Sequence, residues 1–364
     1  MNIAALIRTS GRRLLVAAVS VLSFASCDNA IYDNEGDCSV YYRVKFRYDR
    51  NLKWADAFAN EVKSVHLYAF DTAGVLAWQK AEKGAALASG DYTMTLDVPA
   101  GDYHLIAWCG LDNDGAREES FTVPEMTVGR SRQEELICRL NRKRDEANAA
   151  YSDQQLYSLF HGSLDVNFPE NEDGGEYIDT IYLTKNTNHV RVILQHLSGE
   201  DVDVSAFTFR IEDENGLMAS NNDLLPDENI TYHAWDTLSG EAGVGKEDLP
   251  AGRAIIAVKG AIADLTVGRM MADRREQMML VITNRADQKV VARVPVIDYA
   301  LLAKEYYEKA YGHVMTNQEF LDREDEYVLT FFLDEKNEWL ASSILIHSWC
   351  VVLNKVDLQY VIHG

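Results

Sequence analysis

The chain has 364 residues, of which 47% are hydrophobic and 10% aromatic, and its formal net charge at pH 7 is −22. A surface this acidic repels phosphate backbones, so the charge excludes nucleic acid as the partner. A chain of this length and apolar content can bury sizeable cores, and its length favours two domains over one.

Residues 1–26 have the parts of an export signal. An apolar run, 14–24, is too short to span a bilayer, and the small residues Ala25 and Ser26 follow it, directly before Cys27. The basic region before the run contains Arg8, Arg12 and Arg13. The pattern resembles a bacterial lipoprotein signal, so we expect cleavage between Ser26 and Cys27 and diacylation of the Cys27 thiol. An ordinary secretory signal with an incidental Cys27 is the alternative.

The segment 27–37 reads as an acidic tether behind that lipid. Two acyl chains hold a protein on a membrane almost permanently, since each buried methylene contributes roughly 0.8 kcal/mol. The tether contains Asp28, Asp33, Glu35 and Asp37. These acids resemble the export tag of surface lipoproteins in Bacteroidetes, and a merely solvated linker is the alternative. We therefore expect a protein that is lipid-anchored in the outer membrane and faces the cell surface.

Four cysteines remain once Cys27 is lipidated. They are Cys38, Cys109, Cys138 and Cys350. An oxidising compartment permits bridges among them, and the sequence does not rank the three possible pairings. Cys109 and Cys138 fall in one predicted domain, which favours a disulfide between them; four buried or free thiols are the alternative. No Cys-x-x-Cys pair is present, so zinc and redox motifs have no support.

Short runs of alternating apolar and polar residues, separated by turn residues, dominate the rest of the chain. In the first run, 40–48, Arg43, Lys45 and Arg47 alternate with Val and aromatic residues, a period of two that predicts a strand. Similar runs occur at 64–70, 92–98, 103–108, 177–183, 189–197, 207–213, 278–283, 289–296, 327–333 and 344–352. Many short strands with turns between them predict an all-β protein built of β-sandwiches.

The division into domains follows from weaker signals. A Pro-Ala-Gly turn that leads into a strand occurs at 98–107 and again at 249–257, which supports two related, tandem sandwiches. The charged stretch 141–148 is the predicted boundary, so the domains are 38–148 and 149–364. Helices are few: we expect them at 52–60, 147–159 and 297–310, and a capping box of Thr316 and Glu319 predicts a last one through Arg323.

Two motifs that would bring chemistry fail when their positions are counted. Residues 240–246 nearly spell a phosphate-binding loop, but Glu247 stands where a Ser or Thr should ligate magnesium. The run Asp112-Asn113-Asp114-Gly115 suggests a calcium loop, yet Gly110 and Phe121 occupy the positions of its two end ligands. We expect a flexible loop at the first and a hairpin turn at the second, with no metal and no cofactor.

Several blocks in the mature chain carry a family resemblance. They are IYD and GDC within 31–38, VHLYAFD at 65–71, PAGDYHLIAW at 99–108, LFHG at 159–162, LTKNTNHVRV at 183–192, QEFLDREDEY at 318–327, and the run 344–353. Together they resemble the fimbrillin-associated anchor lipoproteins of Bacteroidetes, in the family's order. The resemblance implies two transthyretin-like β-sandwich domains and a structural role at the base of a fimbria, where the chain ends the polymer and holds it to the outer membrane.

The resemblance also implies how the partner, a fimbrillin subunit, is bound. Subunits of this class join by donor-strand addition, in which an extended segment of one chain completes an open sheet edge of another. Polymerising subunits lose an N-terminal strand to proteolysis, but a cut near Arg43 or Arg47 would separate the lipid from the body. We therefore expect the mature chain to stay uncut. Whether 349–364 folds back onto its own sheet or is offered to a partner stays open.

Other functions stay open beside the anchor. A surface lipoprotein that binds a glycan or nutrient would use tryptophans as a platform, although core packing is the commoner role of this residue. The candidates are Trp54, Trp78, Trp108, Trp235, Trp339 and Trp349. An accessory or tip subunit of a fimbria is a further alternative. A hydrolase has little support, because His189 and His196 read as ordinary strand residues and no catalytic motif is present. We expect no enzyme.

Overall fold

A computed structural model describes residues 39–170, 174–243, 257–346 and 349–354 of the chain. Strands predominate and helices are short, so the all-β prediction is confirmed. The predicted signal, the cleavage site Ser26-Cys27, the lipidation site Cys27 and the tether all lie outside the described residues. In the described ranges, no helix has the length and apolar character needed to cross a membrane.

Strands follow one another along the chain, and a few short helices lie between them. The strands in the first half are β1 (Val40–Arg47), β2 (Ser64–Phe70), β3 (Leu76–Lys83), β4 (Thr93–Leu96), β5 (Gly101–Cys109), β6 (Phe121–Thr122), β7 (Cys138–Leu140), β8 (Lys143–Arg144), β9 (Ala150–Ser152), β10 (Phe160–Phe168), β11 (Gly175–Tyr182) and β12 (Thr184–Lys185). Those in the second half are β13 (Asn188–His196), β14 (Phe207–Asp213), β15 (Leu217–Met218), β16 (Ile230–His233), β17 (Asp236–Gly243), β18 (Ala257–Val267), β19 (Met279–Asn284), β20 (Val290–Pro295), β21 (Glu326–Leu333), β22 (Trp339–Ile346) and β23 (Trp349–Asn354). The α-helices are α1 (Phe58–Glu61), α2 (Val296–Leu301), α3 (Lys304–Tyr311) and α4 (Asn317–Arg323).

Two sheets enclose the N-terminal core. One has the strand order β11-β1-β4 and the other β12-β10-β5-β2-β3. Side chains on a strand point alternately to its two faces, so the apolar residues of β1 face the second sheet while its cations face outward. Val44 and Phe46 from β1 pack there with Leu67, Leu105 and Ile181.

The five-stranded sheet is covered on both faces, which explains the nearly continuous apolar run of β2. Val65 and Leu67 belong to the N-terminal cluster, whereas Tyr68 and Phe70 belong to a second cluster that continues into the rest of the protein. A strand buried on both faces loses the polar half of its alternation. This sheet therefore ties the two hydrophobic clusters together.

The C-terminal part contains the larger sheets. Their strand orders are β17-β18-β13-β21-β22-β23, β20-β19-β14-β16-β9-β8 and, in a small third sheet, β15-β7-β6. Buried side chains from both six-stranded sheets, such as Val192, Leu329, Ile211 and Leu280, share the second hydrophobic cluster. The central pair β13 and β21 is parallel, with His189 opposite Glu326 and His196 opposite Leu333.

The chain does not divide at residue 148, so the predicted domain boundary is wrong. After β5 it crosses to the C-terminal sheets, which β7, β8 and β9 join. It then returns: β10 pairs with β5 from Phe160 opposite Cys109 to Phe168 opposite Gly101, and β11 pairs with β1. The N-terminal part around β1 therefore also contains segment 160–185, which is separate in sequence from β1–β5. The two parts are thus not consecutive in the chain, as a tandem arrangement would require.

The helix predictions have mixed outcomes. The predicted helix 147–159 is wrong, because Asn148 has a φ of 64° and the following residues form β9, parallel to β16. Only α1 forms within 52–60, and the predicted helix 297–310 is split into α2 and α3. The cap of α4 is confirmed, since the Thr316 hydroxyl oxygen accepts a hydrogen bond from the Glu319 amide at 3.0 Å.

Candidate functional site

Strand β1 is an integral part of the N-terminal core. The side chains of Tyr42, Val44 and Phe46 are buried, with exposed fractions of 6%, 0% and 1%. The Tyr42 ring stacks on Phe168 at 4.4 Å between centroids, and its hydroxyl donates to the Pro169 carbonyl at 2.8 Å. Each buried aromatic side chain contributes several kcal/mol to folding, so the core depends on this strand.

Arg43 and Arg47, near which the family resemblance suggested a protease cut, belong to the ladder between β1 and β11. Arg43 forms an ion pair with Glu176 at 2.8 Å, and Arg47 forms one with Asp49 at 3.0 Å. Strand β11 pairs with β1 along its whole length, and β4 pairs on the other side from Tyr42 to Lys45. A protease must extract a segment before it can cut it, and the pairing resists that extraction.

The loop that follows β1 is fixed to the helices of the C-terminal part. The guanidinium of Arg323 lies 4.0 Å from the centre of the Trp54 ring, and its Nη1 donates to the Asp49 carbonyl at 3.3 Å. The Trp54 Nε1 donates to the Tyr307 hydroxyl at 3.2 Å, and that hydroxyl donates to the Leu52 carbonyl at 2.8 Å. We call these contacts the loop joint. No local signal in the sequence pointed to it, because its partners are about 250 residues apart.

A partly buried lysine bridges the two parts beside the loop joint. The Lys185 ammonium pairs with Glu61 at 3.0 Å and also with Asp325, which leads into β21. Burial alone would lower the pKa of Lys185, but the two carboxylates outweigh it and the pKa is raised. Removal of the charge would leave two carboxylates facing each other, so this contact favours one fixed arrangement of the parts.

A neutral histidine forms a third contact between the parts. His161 is 5% exposed, and its Nε2 donates to the Ser220 carbonyl at 2.8 Å while its ring packs edge-on against Trp108 at 4.6 Å. Burial is the main reason that the pKa of His161 falls to about 4. Nearby, Arg269 is buried and reaches Asn186 at 2.9 Å and Asp322 at 3.1 Å. The contacts of His161 and Arg269 between the parts are therefore polar and buried.

The predicted disulfide between Cys109 and Cys138 is wrong. Both thiols are free and buried, and they belong to different hydrophobic clusters. Burial raises the pKa of each thiol well above its ordinary value, which keeps both in the unreactive protonated form. Cys38 lies outside the described residues, and at Cys350 only the backbone is described.

The motifs set aside from sequence do not become sites in the structure. Asp112 and Asp114 bind different partners and do not converge on one point: Asp112 accepts a hydrogen bond from His66 at 2.9 Å, whereas Asp114 accepts one from Tyr157 at 2.5 Å. His189 is a strand residue that contacts Asp264 at 3.1 Å. Over the described ranges, no group of three or more His, Cys, Asp or Glu side chains could hold a metal ion. Residues 240–243 form the end of strand β17 and not the expected flexible loop, and 244–246 lie outside the described residues.

The tryptophans do not line a common platform where they are described. Trp108 is fully buried beneath His161, and Trp54 is 43% exposed but holds the loop joint. Trp235 lies near His189, at 6.3 Å between ring centres, and Trp339 packs on Phe331. The side chain of Trp349 lies outside the described set. The rings serve separate packing sites.

Free sheet edges are the surfaces at which a strand could be added. Short edges and edge charges normally block such addition. Strand β3 carries Lys80 and Glu82, β20 ends in Pro295, and β11 and β17 each carry two acids. Among the described edge strands of six or more residues, only β23, with the sequence WCVVLN, has no charged residue. It pairs with β22, so residues 349–354 of the C-terminal segment fold back onto their own sheet.

The sequence model of one protein family, described as "Fimbrillin-A associated anchor proteins Mfa1 and Mfa2", matches residues 34–355. The chain belongs to this anchor family. The predicted resemblance is therefore confirmed, and the match includes both hydrophobic clusters and the loop joint. The anchor family associates with fimbriae at the cell surface, and its role is structural rather than catalytic.

One member of the anchor family and several solved structures are similar to this chain. The minor fimbrium anchoring subunit Mfa2 of Porphyromonas gingivalis is 27% identical over 193 residues, which are 51% of this chain and 56% of that protein. This match spans little more than half of that relative's length. Two structures from Bacteroides thetaiotaomicron each cover 88% of this chain and 100% of their own: one provisionally assigned as an adhesin, with 29% identity and a TM-score of 0.73, and one provisionally assigned to polysaccharide binding, with 30% and 0.70. The solved Mfa2 anchor of P. gingivalis covers 87% of this chain and 100% of its own, and with 15% identity and a TM-score of 0.60 it shows the shared fold.

Proposed function

We propose that this chain is the base subunit of a fimbria, held in the outer membrane by acyl chains on Cys27 and exposed at the cell surface. In this role it binds a fimbrillin subunit by strand addition, which ends the polymer and retains it on the cell. Membership of the anchor family supports the fimbrial association. The acylation, the surface location and the mode of contact are the parts that this proposal adds.

The observation that carries the proposal is the complete β1. A subunit that stays attached through its N-terminus must keep the strand that connects the lipid to the body. Here β1 occupies the middle of its sheet, and Val44 and Phe46 are almost fully buried. Loss of the strand would open a groove in this core and detach the tether at the same time, so an uncut chain is the form that suits an anchor.

Strand β23 is our proposed contact with the fimbrillin. Among the described strands it is the last of a six-stranded sheet, and its uncharged residues give no protection against strand addition. An extended segment of the partner would gain main-chain hydrogen bonds along that edge.

Replacement of Cys27 by Ser tests the lipid anchor. We expect the Cys27→Ser cells to lose acyl labelling of this protein and to release fimbriae into the medium, since the base no longer holds them. Cys38→Ser is the matched control, because it removes a neighbouring thiol and should leave retention intact. Fimbriae retained at the normal level and length in Cys27→Ser cells would contradict the proposal.

Adjacent proline substitutions in β23 test the strand edge. Successive amides of a strand point to opposite neighbours, so one of Val351→Pro and Val352→Pro removes a donor from the free edge and the other removes one from the β22 ladder. We expect the first kind to abolish capture of fimbrillin while the protein keeps its thermal stability, and the second to lower that stability. Unchanged capture by both variants would exclude β23 as the contact.

A further inference from the structure

Strand β1 points from the membrane tether toward the C-terminal part of the molecule. It begins at Val40 and ends at Arg47, and the next residues enter the loop joint, where Arg323 holds the Asp49 carbonyl and Tyr307 holds the Leu52 carbonyl. The tether therefore attaches at one end of β1, and the C-terminal part attaches at the other.

Strand β11 has the same direction and the same destination. It pairs with β1 in parallel, from Gly175 opposite Val40 to Tyr182 opposite Arg47. Three residues later, Lys185 forms the ion pairs with Glu61 and Asp325. The carboxyl ends of both strands are thus fixed to the C-terminal part, while the amino end of β1 leads to the tether.

We propose that β1 is a mechanical clamp, loaded in shear when a fimbria pulls on the C-terminal part against the lipid at the N-terminus. This inference rests on the proposed anchor function for its source of tension. The geometry itself follows from the direction of β1 relative to the loop joint. The force would act along the strand and not across it.

Shear loading makes the ladders of β1 act together. A force along a strand strains all of its inter-strand hydrogen bonds at once, whereas a force across it breaks them one after another from the end. Strand β1 pairs with eight residues of β11 and with four residues of β4, from Tyr42 opposite Leu96 to Lys45 opposite Thr93. Forced unfolding is governed by the unfolding rate, which falls when many bonds must break in one step.

The inward side chains of β1 prevent the strand from slipping in register. Val44 lies between the larger residues Tyr42 and Phe46 on the same face. A slip of one residue would turn Lys45 into the core, and a slip of two would force an aromatic ring into the valine site. On the outer face, the Arg43–Glu176 pair fixes the same register at 2.8 Å. The clamp therefore has to fail as a whole.

Single-molecule pulling in two directions tests the clamp on one protein. Two variants of the mature chain each carry one handle at the N-terminus. In the first, a peptide ligation tag for the second handle is inserted after Lys336, in the exposed turn between β21 and β22. In the second, the tag is inserted after Asp97, in the turn after β4. The first pair pulls along β1. The second pair pulls β1 and β4 apart from the end where Tyr42 faces Leu96. Urea unfolding of both tagged proteins checks that the insertions leave the fold intact.

We expect the rupture force along β1 to exceed the peeling force by about twofold or more, because the ladder bonds share the load in one case and break in turn in the other. Equal forces in the two directions would overturn the clamp, and so would separation of the loop joint before β1 at low force. The measurement needs no lipid and no fimbrillin. The clamp can therefore fail while the anchor proposal stands, and loss of the anchor proposal in cells would leave this measurement unaffected.

Discussion

Acid should weaken the contact between the two parts through His161. The neutral ring donates to the Ser220 carbonyl and packs on Trp108 in a buried site, where a second proton has no partner. Replacement by Gln keeps a donor within reach of that carbonyl and removes the titrating group. The His161→Gln variant is therefore the informative perturbation.

The magnitude follows from the difference in pKa between the folded and unfolded chain. The pKa of His161 is about 4 in the folded protein and 6.5 as the ordinary value. Between these values the unfolded chain binds more protons than the folded one, so stability is full above pH 6.5 and is lost as the pH falls toward 4. At 1.36 kcal/mol per pKa unit, the loss between pH 7 and pH 4.5 is about 2.5 kcal/mol.

Urea unfolding at pH 7 and pH 4.5 measures this loss. Carboxylates throughout the chain also titrate, so the comparison is between wild type and variant and not between the two pH values alone. We expect the free energy of unfolding to fall by about 2.5 kcal/mol more in wild type than in His161→Gln. His313→Gln, in an exposed loop, controls for the removal of a histidine as such. An equal loss in wild type and His161→Gln would refute the reasoning.

Three further predictions concern packing. Phe46→Ala should lower the free energy of unfolding by about 3–5 kcal/mol, because the ring is 1% exposed in the core. Gly110→Ala should cost far more than the roughly 1–2 kcal/mol of a positive-φ residue, since its Cβ would lie 2.0 Å from the Ser158 carbonyl oxygen. The two buried thiols should react with a thiol reagent only after unfolding, and the electrophoretic mobility of a variant that retains only Cys109 and Cys138 should not change on reduction.

Each packing prediction has a matched control in the same chain. Lys45→Ala changes the outward-facing neighbour of Phe46 and should stay within about 0.5 kcal/mol. Gly129→Ala has a similar φ of 77° with open space around its Cβ, so it isolates the backbone cost from the clash at Gly110. A loss as large for Gly129→Ala as for Gly110→Ala, or a mild loss for Phe46→Ala, would contradict the described packing. A shift in the mobility of the variant that retains only Cys109 and Cys138 would contradict the free thiols.

Local patterns predicted many strands well because the alternation of apolar and polar residues within a strand reports which of its faces is buried. The alternation in 40–48 gave β1, and the runs 64–70 and 207–213 coincide with β2 and β14. The cap at Thr316 is likewise local, since donor and acceptor lie three residues apart. In contrast, 147–159 has a helix-like composition, but pairing with β16 makes part of it β9. Tertiary contacts override propensity in such a segment.

The candidate site was harder to predict because its parts come together only in three dimensions. Trp54 was one of six tryptophans with no distinguishing neighbour in sequence, and its partners Tyr307 and Arg323 lie on distant helices. The proximity of Cys109 to Cys138 was inferred from a domain boundary that the return of β10 removes. The family resemblance predicted the association with fimbriae. The strand order was needed to show that β23 lies at a sheet edge and that β1 lies between two strands.

The return of the chain to its first sheet has a consequence for how the protein is made. The parallel partner of β1 begins at residue 175, and the strands between them belong partly to the other end of the molecule. During synthesis β4 can pair with β1 early, but the other edge of β1 has no partner until residue 182 has been made. Such late-closing contacts slow folding and favour aggregation. We expect folding to depend on a holding chaperone, and the N-terminal and C-terminal parts to fold in a single cooperative step.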